Sequence, residues 1–272
     1  MIFDLHSHTL CSDGVLSPNE LINRAVEKNV DVLSITDHDT LGAYCDLELQ
    51  HKKIGLIPGI ELSTEWQNTG IHVLGLNVEI DSAAMKTAVR LQSESRRQRA
   101  IQIGDRLEKK GFEGAFEGAS KLTTGAYVGR PHFARFLVES GQVESIGKAF
   151  KKYLGDGKAG DIRHHWADLS RVIEWIRDAS GIAVLAHPLK YKLTRTRLKR
   201  LLDDFVAAGG RGMEVVSGQQ SHQQTSDMAR LCEQYGLLAS CGSDFHMPGK
   251  PWAELGFFPY LPRYVKPVWE SF

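Results

Sequence analysis

Short runs of apolar and β-branched residues recur along the chain, and stretches with helical periodicity separate most of them. Seven of these runs predict strands, at residues 2–6, 32–36, 55–60, 71–76, 182–186, 212–216 and 237–241. Strands that alternate with helices through short connections form parallel sheets or barrels. The pattern therefore predicts an α/β fold, a distorted, TIM-like (β/α)7 barrel, with a doubly wound open sheet as the alternative.

Three helices carry clear signals at their ends. Ser17, Pro18 and Glu20 form a capping-box pattern, which predicts a helix that begins at residue 18. Segments 194–210 and 221–236 show helical spacing of apolar residues, and each ends in glycine, which favours a helix end. These helices fill intervals between predicted strands, as an alternating fold requires.

Residues 81–166 interrupt this alternation, because they contain helical and loop patterns but no strand pattern. We interpret them as a helical insertion, a cap domain for substrate recognition, so that residues 1–80 and 167–272 form the barrel domain. One helix of the insertion places Arg96 and Arg99 on the same face as Met85, Ile103 and Leu107. Either the aliphatic stems cover apolar surface while the charges reach water, or the guanidinium groups reach into a cleft and bind phosphate.

A second candidate anion site lies at the start of the next helix. Arg130 precedes Pro131, the expected first helical residue, and His132 falls in the first turn. Backbone N–H groups at a helix start favour an anion, and Arg130 adds positive charge, although a plain surface helix start is the alternative. Lys190 and Tyr191 are candidates for substrate contact. The remaining histidines are interpreted as surface, loop or domain-contact residues: His51, His164, His165 and His222.

Composition and charge exclude several classes of protein. Lys and Arg total 33 and Asp and Glu total 33, so the formal net charge is zero, and neither duplex DNA nor an anionic membrane is indicated as a partner. No apolar run reaches transmembrane length, and the first residues lack the pattern of a signal peptide. The four cysteines have no metal or disulfide spacing, so we expect reduced thiols and a cytoplasmic protein. No obligate protein partner is inferred.

Several of the eleven histidines stand at strand ends together with carboxylates. The pairs His6 with His8 and Asp244 with His246 have a spacing of two, which points both side chains of a pair to one face of a strand. Further candidates at or near strands are Asp13, His38, Glu61, His72 and His187. The carboxyl ends of parallel strands share one face of an α/β barrel, so these nine residues are expected to converge. Imidazole and carboxylate donors suit Mn, Zn or Fe(II), and nine donors exceed the needs of one ion, which predicts two or three divalent metal ions.

The motifs DLHSHT, TDHDT, GIELS, AHP and SDFH occur in this order, and with them the chain resembles the PHP (polymerase and histidinol phosphatase) family, a branch near the amidohydrolases. The resemblance implies a distorted seven-stranded barrel with a trinuclear metal site, in which manganese is favoured. It assigns His6, His8, Glu61 and Asp244 to the first metal ion. It assigns Asp13, His38 and His246 to the second, and Glu61, His72 and His187 to the third.

The segments SESRRQRA, GRPHFARFLV and KKYL resemble TrpH-like members of that family. The resemblance implies a metal-dependent phosphoric ester hydrolase that removes the 3′-phosphate of nucleoside 3′,5′-bisphosphates, such as pAp, by attack of a metal-bridging hydroxide. The expected substrate is a small nucleotide or a short RNA 5′ end, with its 5′-phosphate bound by Arg96, Arg99, Arg130 and His132. The leaving oxygen would take a proton from a metal-bound water or from a nearby acid, for which Asp13 and His246 are the candidate catalytic residues.

Three alternative functions stay open. A 5′→3′ exoribonuclease acting on short 5′-monophosphorylated RNA would use the same site, and it predicts an open, basic path that leaves the cleft. A histidinol-phosphate-type monoester phosphatase would not need the two inward arginines. A non-catalytic metal-binding module is disfavoured by the full set of nine candidate ligands.

Overall fold

The computed structural model describes residues 1–45, 47, 53–123, 128–155, 157–162 and 166–272. His51, His164 and His165 lie outside the described residues, so their interpretation stays a prediction. Within the described residues the strands are β1 (Phe3–Asp4), β2 (Val32–Leu33), β3 (Gly55–Leu56), β4 (Gly59–Trp66), β5 (Thr69–Leu76), β6 (Ile182–Leu185), β7 (Gly212–Ser217) and β8 (Leu238–Gly242). The α-helices are α1 (Pro18–Glu27), α2 (Ala83–Glu108), α3 (Ala115–Ser120), α4 (Arg130–Glu139), α5 (Ile146–Ala149), α6 (Leu169–Asp178), α7 (Arg195–Ala207) and α8 (His222–Gln234).

The described strands form two sheets. One has the order β1-β2-β3 with parallel pairing, and the other has the order β4-β5-β6-β7-β8. Strands β6, β7 and β8 are parallel, whereas β5 is antiparallel to both β4 and β6. Isolated backbone hydrogen bonds link the sheets, from Leu5 N to Cys241 O (3.1 Å) and from Asp39 N to Glu61 O (2.9 Å). The predicted α/β fold is confirmed, but the ladders between the described strands do not close into one barrel.

The fold has eight described strands rather than the seven predicted, because residues 55–60 belong to two strands. Pro58 separates β3 from β4, and proline has no N–H to continue a ladder. A hairpin then joins β4 to β5 through Gln67 and Asn68, whose φ angles of 45° and 60° suit a two-residue type I′ turn. The hairpin reverses the chain direction, so the sheet is mixed rather than all parallel.

Most helix predictions agree with the structure. The capping box of α1 is present, with Ser17 N donating to Glu20 Oε2 (2.8 Å) and Glu20 N donating to Ser17 Oγ (3.3 Å). Helix α4 begins at Arg130 rather than Pro131, since the Nδ1 of His132 accepts the N–H of Gly129 (3.1 Å) and completes the first turn one residue earlier.

The described part of residues 81–166 contains helices and no strand. Helix α2 buries the predicted face, with Gln92, Arg96 and Arg99 inside along with the apolar residues Met85, Ile103 and Leu107. A separate apolar cluster lies among these helices, centred on α2 and α4. Every helix in the described part of the chain is too short or too polar to cross a lipid bilayer.

Candidate metal centre

The nine predicted metal ligands all lie in one cluster. They form four overlapping groups, and within each group one ligand atom per residue lies within 4.8 Å of the others. The groups are His8, Asp13, His38 and His246; His6, His187 and Asp244; His6, His8 and Glu61; and His38, Glu61 and His72. Chain segments that are far apart in sequence therefore bring together a dense set of nitrogen and oxygen donors.

The Glu61 carboxylate occupies the centre of the cluster. Five imidazole nitrogens surround it, at 3.2 Å (His6 Nε2), 3.2 Å (His8 Nε2), 3.1 Å (His38 Nδ1), 2.9 Å (His72 Nδ1) and 2.9 Å (His187 Nε2). Burial alone would raise the pKa of Glu61, but the histidines around it lower that pKa well below its usual range. Glu61 is therefore ionised and faces imidazoles on both of its oxygens.

The donor set of this cluster fits divalent metal ions. Glu61 Oε2 is buried, and its contacts with the imidazole nitrogens of His6, His8 and His38 lack hydrogen-bond geometry, so it has no hydrogen bond within the described part of the protein. A buried carboxylate oxygen without a donor is costly, and a coordinated cation removes that cost. Imidazole and carboxylate ligands without thiolate are typical of Zn, Mn and Fe(II) sites.

Backbone pairing at the ends of β1 and β8 places two ligand pairs face to face. Asp244 N donates to His6 O (2.9 Å), and His8 N donates to Phe245 O (2.8 Å). The Oδ1 of Asp244 lies 3.4 Å from His6 Nε2 and 3.3 Å from His8 Nε2. The spacing of two on each segment thus points both pairs into the cluster, as the sequence predicts.

Asp13 and His246 lie together in the group of donors that also contains His8 and His38. His246 Nε2 is 3.4 Å from Asp13 Oδ1, and His38 Nε2 is 3.8 Å from Asp13 Oδ2. Burial opposes ionisation of Asp13, but the charges of His246 and His38 lower its pKa well below the usual range. The two residues named as catalytic candidates are therefore within reach of each other and of the metal ligands.

Left-handed backbone conformations occur at three residues of the site. The φ angles are 56° at Asp39, 27° at His187 and 53° at Asp244. Such angles are uncommon outside glycine and persist where surrounding bonds hold them. Each of these three backbone N–H groups donates a hydrogen bond, to Glu61 O, Glu214 Oε2 and His6 O respectively.

His72 reaches the cluster from within a strand, not from a strand end. It is the fourth residue of β5 and pairs with Ser63 of β4. Because His72 pairs with Ser63, and Ser63 lies two residues after Glu61, these side chains point to the same face of the sheet. The prediction from the sequence placed ligands at the carboxyl ends of parallel strands, and it did not explain a ligand inside the fourth strand.

Two buried carboxylates that the sequence reasoning did not assign hold the ligands in place. Glu214 on β7 contacts His6 Nδ1 (2.9 Å) and accepts the N–H of His187 (2.6 Å). Burial opposes protonation of His6, but Glu214 and Glu61 together raise the pKa of His6 to about 10. In the sequence, Glu214 is distinguished as the single acidic residue in the otherwise mostly apolar run GMEVVS, which indicates a buried carboxylate with a specific partner.

Asp37 is the second of these buried carboxylates, and it fixes a chain segment that carries predicted ligands. It accepts hydrogen bonds from Thr9 N (2.7 Å), Thr9 Oγ1 (2.5 Å) and Ser12 Oγ (2.6 Å). These bonds fix the loop between His8 and Asp13. The conformation of that loop sets where the Asp13 carboxylate points.

A cleft of about 680 Å³ opens beside the cluster, and we call it the phosphate cleft. Ligand residues on one side are Asp13, His38, His72 and His187, and cationic residues that also line it are Arg96, Arg99, Arg130, Lys190, Lys192 and Arg197. A cleft that combines metal ligands with arginines suits a substrate that carries more than one phosphate.

The two arginines of α2 are held at the cleft, and neither head extends into bulk water. Arg96 pairs with Asp39 and donates from Nη2 to Ser63 Oγ (2.9 Å), while Arg99 Nε donates to Ile162 O (3.0 Å). The ring of Trp166 lies below both guanidinium groups, 5.0 Å from Arg96 Cζ and 5.7 Å from Arg99 Cζ. Of the two interpretations of these arginines, the structure therefore favours the one in which the guanidinium groups point into the cleft rather than into solvent.

The two residues at the start of α4 differ in position. Arg130 lines the phosphate cleft and donates from Nη1 to Leu154 O (3.3 Å). His132 is 5% exposed and is not among the described residues that line the cleft. Burial lowers the pKa of His132, so the ring is neutral and its Nδ1 holds Gly129.

Comparison with known proteins places this arrangement in a family. The PHP domain family matches residues 4–181. A 5′-3′ exoribonuclease, Rnm, from Escherichia coli is 46% identical over 274 residues and covers 99% of this chain and 93% of that protein. A 3′,5′-nucleoside bisphosphate phosphatase from Chromobacterium violaceum is 39% identical over 271 residues and covers 98% of this chain and 95% of that protein.

A solved structure agrees with these matches. It is described as an amidohydrolase from Chromobacterium violaceum with bound sulfate and no metal, and its TM-score to this chain is 0.92 at 38% identity. The match covers 100% of this chain and 95% of the other. Since the family match spans more than half of the chain and the relatives align along nearly all of it, the chain belongs to the PHP domain family.

Proposed function

We propose that this chain is a metal-dependent phosphoesterase that removes the 3′-phosphate of nucleoside 3′,5′-bisphosphates. The observation that carries the proposal is the phosphate cleft, which has metal ligands and arginines in one cavity. A nucleotide with two phosphates fits this division, with the 3′-phosphate at the metal ligands and the 5′-phosphate at the arginines. The relationship to a bisphosphate phosphatase at 39% identity supports it.

The cofactors in this proposal are two or three divalent metal ions, with manganese favoured. The ligands are divided as the family resemblance implies: His6, His8, Glu61 and Asp244 for one ion; Asp13, His38 and His246 for the second; and Glu61, His72 and His187 for the third. When bound, such ions lower the pKa of a coordinated water and neutralise charge on a phosphoryl oxygen.

The arginines orient the substrate in this proposal. Arg99 and Arg130 bind the 5′-phosphate, because both line the cleft and guanidinium groups bind phosphate with paired donors. Arg96 is already paired with Asp39, so it adds positive charge and holds Trp166 beneath Arg99. His132 supports Arg130 from behind, by ordering the first turn of α4.

Asp13 and His246 supply the proton in this proposal. The leaving 3′-oxygen needs a proton as its bond to phosphorus breaks. Asp13 and His246 supply it through a water that they orient, because His246 Nε2 and Asp13 Oδ1, 3.4 Å apart, are both predicted metal ligands and hold no proton between them. Because neither residue forms a bond to phosphorus, the reaction has no covalent enzyme intermediate.

A second candidate function is 5′→3′ exoribonuclease activity on short RNA with a 5′-monophosphate. The relationship to the Escherichia coli exoribonuclease at 46% identity favours it. Both activities break the bond between phosphorus and the 3′-oxygen of a nucleotide that carries a 5′-phosphate. One site therefore serves both, and the substrates differ only in the group attached to the 3′-phosphate.

The domain division is part of the proposal. Residues 81–166 form the cap, supported by their own apolar cluster, and residues 1–80 with 167–272 form a distorted, open barrel from the two linked sheets. The cap contributes Arg96, Arg99 and Arg130 to the cleft. The cytoplasmic location stays a prediction, based on the four cysteine thiols.

The test is phosphate release from adenosine 3′,5′-bisphosphate with Mn²⁺, compared with 5′-AMP, histidinol phosphate and a 5′-phosphorylated RNA pentamer. We expect conversion of the bisphosphate to AMP, no further hydrolysis of AMP, and impaired turnover by Arg99→Ala. Arg97→Ala is the matched control, because Arg97 is exposed on the same helix.

Each alternative function has its own signature in that experiment. Preference for histidinol phosphate, with Arg99→Ala unimpaired, would indicate a monoester phosphatase. Metal binding without turnover of any substrate would indicate a non-catalytic module. Turnover of neither nucleotide substrate would contradict the proposed function.

A further inference from the structure

A second groove begins at the metal cluster. Asp244 and His246, both predicted ligands, line this groove of about 370 Å³, which we call the downstream groove. Its other lining residues include Lys190, Met247, Lys250 and Trp252. Lys190 also lines the phosphate cleft, so the two cavities meet at the same edge of the cluster.

Trp252 is an unusually exposed aromatic residue beside a candidate active site. Its exposed fraction is 59%, and it lies on a short 3-10 turn, Pro251–Ala253. Its backbone is nevertheless fixed, because Trp252 O accepts the N–H of Gln219 (2.8 Å). Gly218 permits this close approach, since a Cβ there would lie 2.6 Å from Trp252 O.

A salt bridge holds the turn from its other side. Arg24 on α1 binds both oxygens of Glu254, at 3.0 Å from Nε to Oε1 and 2.5 Å from Nη2 to Oε2. The indole is therefore presented to solvent by a fixed segment of chain. Burial in a core does not explain a large aromatic side chain held in this way.

Positive charge accompanies the indole. Lys250 Nζ lies 5.2 Å from the centre of the Trp252 ring, and the Lys190 side chain is 51% exposed and pairs with Asp244. Aromatic rings combined with cationic side chains are the features that bind single-stranded nucleic acid without sequence preference, by base stacking and phosphate contact.

The reaction itself requires space beyond the phosphorus atom when the substrate is RNA. A water oxygen bonds to phosphorus, the bond from phosphorus to the 3′-oxygen breaks, and the 3′-oxygen takes up a proton. The phosphate leaves with the rest of the RNA as a new 5′-monophosphate. A bisphosphate has nothing attached to that phosphate, whereas RNA has the whole remaining chain.

We propose that the downstream groove binds the nucleotides on the 3′ side of the cleaved linkage in single-stranded RNA. Trp252 stacks on a base, and Lys190 and Lys250 face the phosphates. This inference rests on the proposed function, specifically on its RNA-cleaving form. It predicts that the groove contributes to RNA cleavage and not to hydrolysis of the bisphosphate.

The test compares kcat/KM for a 5′-phosphorylated RNA pentamer with kcat/KM for adenosine 3′,5′-bisphosphate, in the full-length metal-loaded protein. We expect Trp252→Ala to lower the ratio of the two values about tenfold, the scale of a lost base-stacking contact. Trp252→Phe keeps a stacking surface and lowers the ratio less. Tyr260→Ala is the matched control, because Tyr260 is 82% exposed and lines a different cavity.

A second variant tests the inference independently in case Trp252→Ala does not fold. Lys250→Ala removes the ammonium group while leaving the indole, and we expect it to lower the same ratio and to weaken the salt dependence of RNA cleavage. An unchanged ratio in both Trp252→Ala and Lys250→Ala overturns the inference and leaves the groove to another class of ligand, such as a protein.

The inference and the proposed function fail in different ways. Wild-type protein that hydrolyses the bisphosphate but not the pentamer overturns the inference alone. Wild-type protein that hydrolyses neither overturns the proposed function, and the inference with it.

Discussion

Asp39 and Arg96 form a buried ion pair that joins the sheets carrying the predicted metal ligands to the long helix α2. Asp39 Oδ2 lies 2.5 Å from both Nε and Nη2 of Arg96, and the residues are 1% and 7% exposed. Asp39 also accepts the N–H of Ser63 (2.7 Å) and a hydrogen bond from Gln92 Nε2 (2.9 Å). The position of Arg96 relative to the predicted metal ligands is therefore set largely by the Asp39 carboxylate.

Removing that carboxylate should destabilise the protein and disturb the cleft. We expect Asp39→Ala to lower the free energy of unfolding by about 3 kcal/mol, because Arg96 keeps its charge in a buried site without its partner. Chemical denaturation measures this change. The exposed pair of Arg171 and Glu174 supplies the control, and Glu174→Ala should leave the free energy of unfolding nearly unchanged. Equal effects of the two substitutions would contradict a structural role for the buried pair.

Glu214 should control metal affinity without contacting the metal. It orients His6 through Nδ1 and His187 through the backbone, and partners of this kind change affinity by about 10- to 100-fold when they are removed. We expect Glu214→Gln to weaken Mn²⁺ binding by about tenfold or more. Isothermal titration of the metal-free protein gives the value. The control is Glu233→Gln, at an exposed position of α8, which should bind Mn²⁺ as the wild type does. Wild-type Mn²⁺ affinity in Glu214→Gln would show that Glu214 does not position the metal ligands.

His132 should make stability depend on pH in the acid range. Burial lowers its pKa below the ordinary value near 6.5, so the unfolded chain takes up the proton more readily than the folded protein. The stabilising contribution of His132 is thus present above about pH 6.5 and is lost as pH falls toward the lowered folded value.

The matching measurement is the free energy of unfolding at pH 7 and at pH 5, with identical metal loading. We expect His132→Gln to lose less stability between these values than the wild type loses. His222→Gln should behave like the wild type, because His222 is exposed. The same slope in wild type and His132→Gln would show that His132 is not a buried neutral residue.

The four cysteines should differ sharply in reactivity. Cys232 and Cys241 are buried, and burial raises the pKa of Cys232 to about 12 and that of Cys241 well above its usual value. Cys45 is exposed. We expect iodoacetamide to modify Cys45 in the native protein and all four thiols after unfolding, because the thiolate is the reactive form. Peptide mass spectrometry distinguishes the sites, and native labelling of Cys232 would be inconsistent with the structure.

The clustering of the nine predicted metal ligands could be predicted from the sequence because their signals are local. His6 with His8, and Asp244 with His246, have the spacing that directs two side chains to one face, and parallel strands bring their ends together. The role of Glu214 was not predicted, because its partner His6 lies 208 positions away in the sequence. An acidic residue within an apolar strand does not by itself indicate which residue it contacts.

The parts that were missed depend on tertiary structure. The reversal at Gln67 and Asn68 comes from a hairpin that lacks the usual Asn-Gly signal, and it follows the strand break at Pro58. The inward direction of Arg96 was one of two interpretations, and only its contact with Asp39 decides between them. His132 had the signature of a phosphate ligand, but its ring turns back to hold Gly129.

The turn at Gln67 and Asn68 determines whether His72 belongs to the metal cluster at all. Side chains alternate along a strand, so one inserted residue in the turn would slide β5 by one position and point His72 to the opposite face of the sheet. Ligands that follow β1, β6 and β8 would keep their places. A surface turn therefore sets whether one predicted metal ligand reaches the cluster, and a change of turn length would remove that ligand while the other predicted ligands keep their positions.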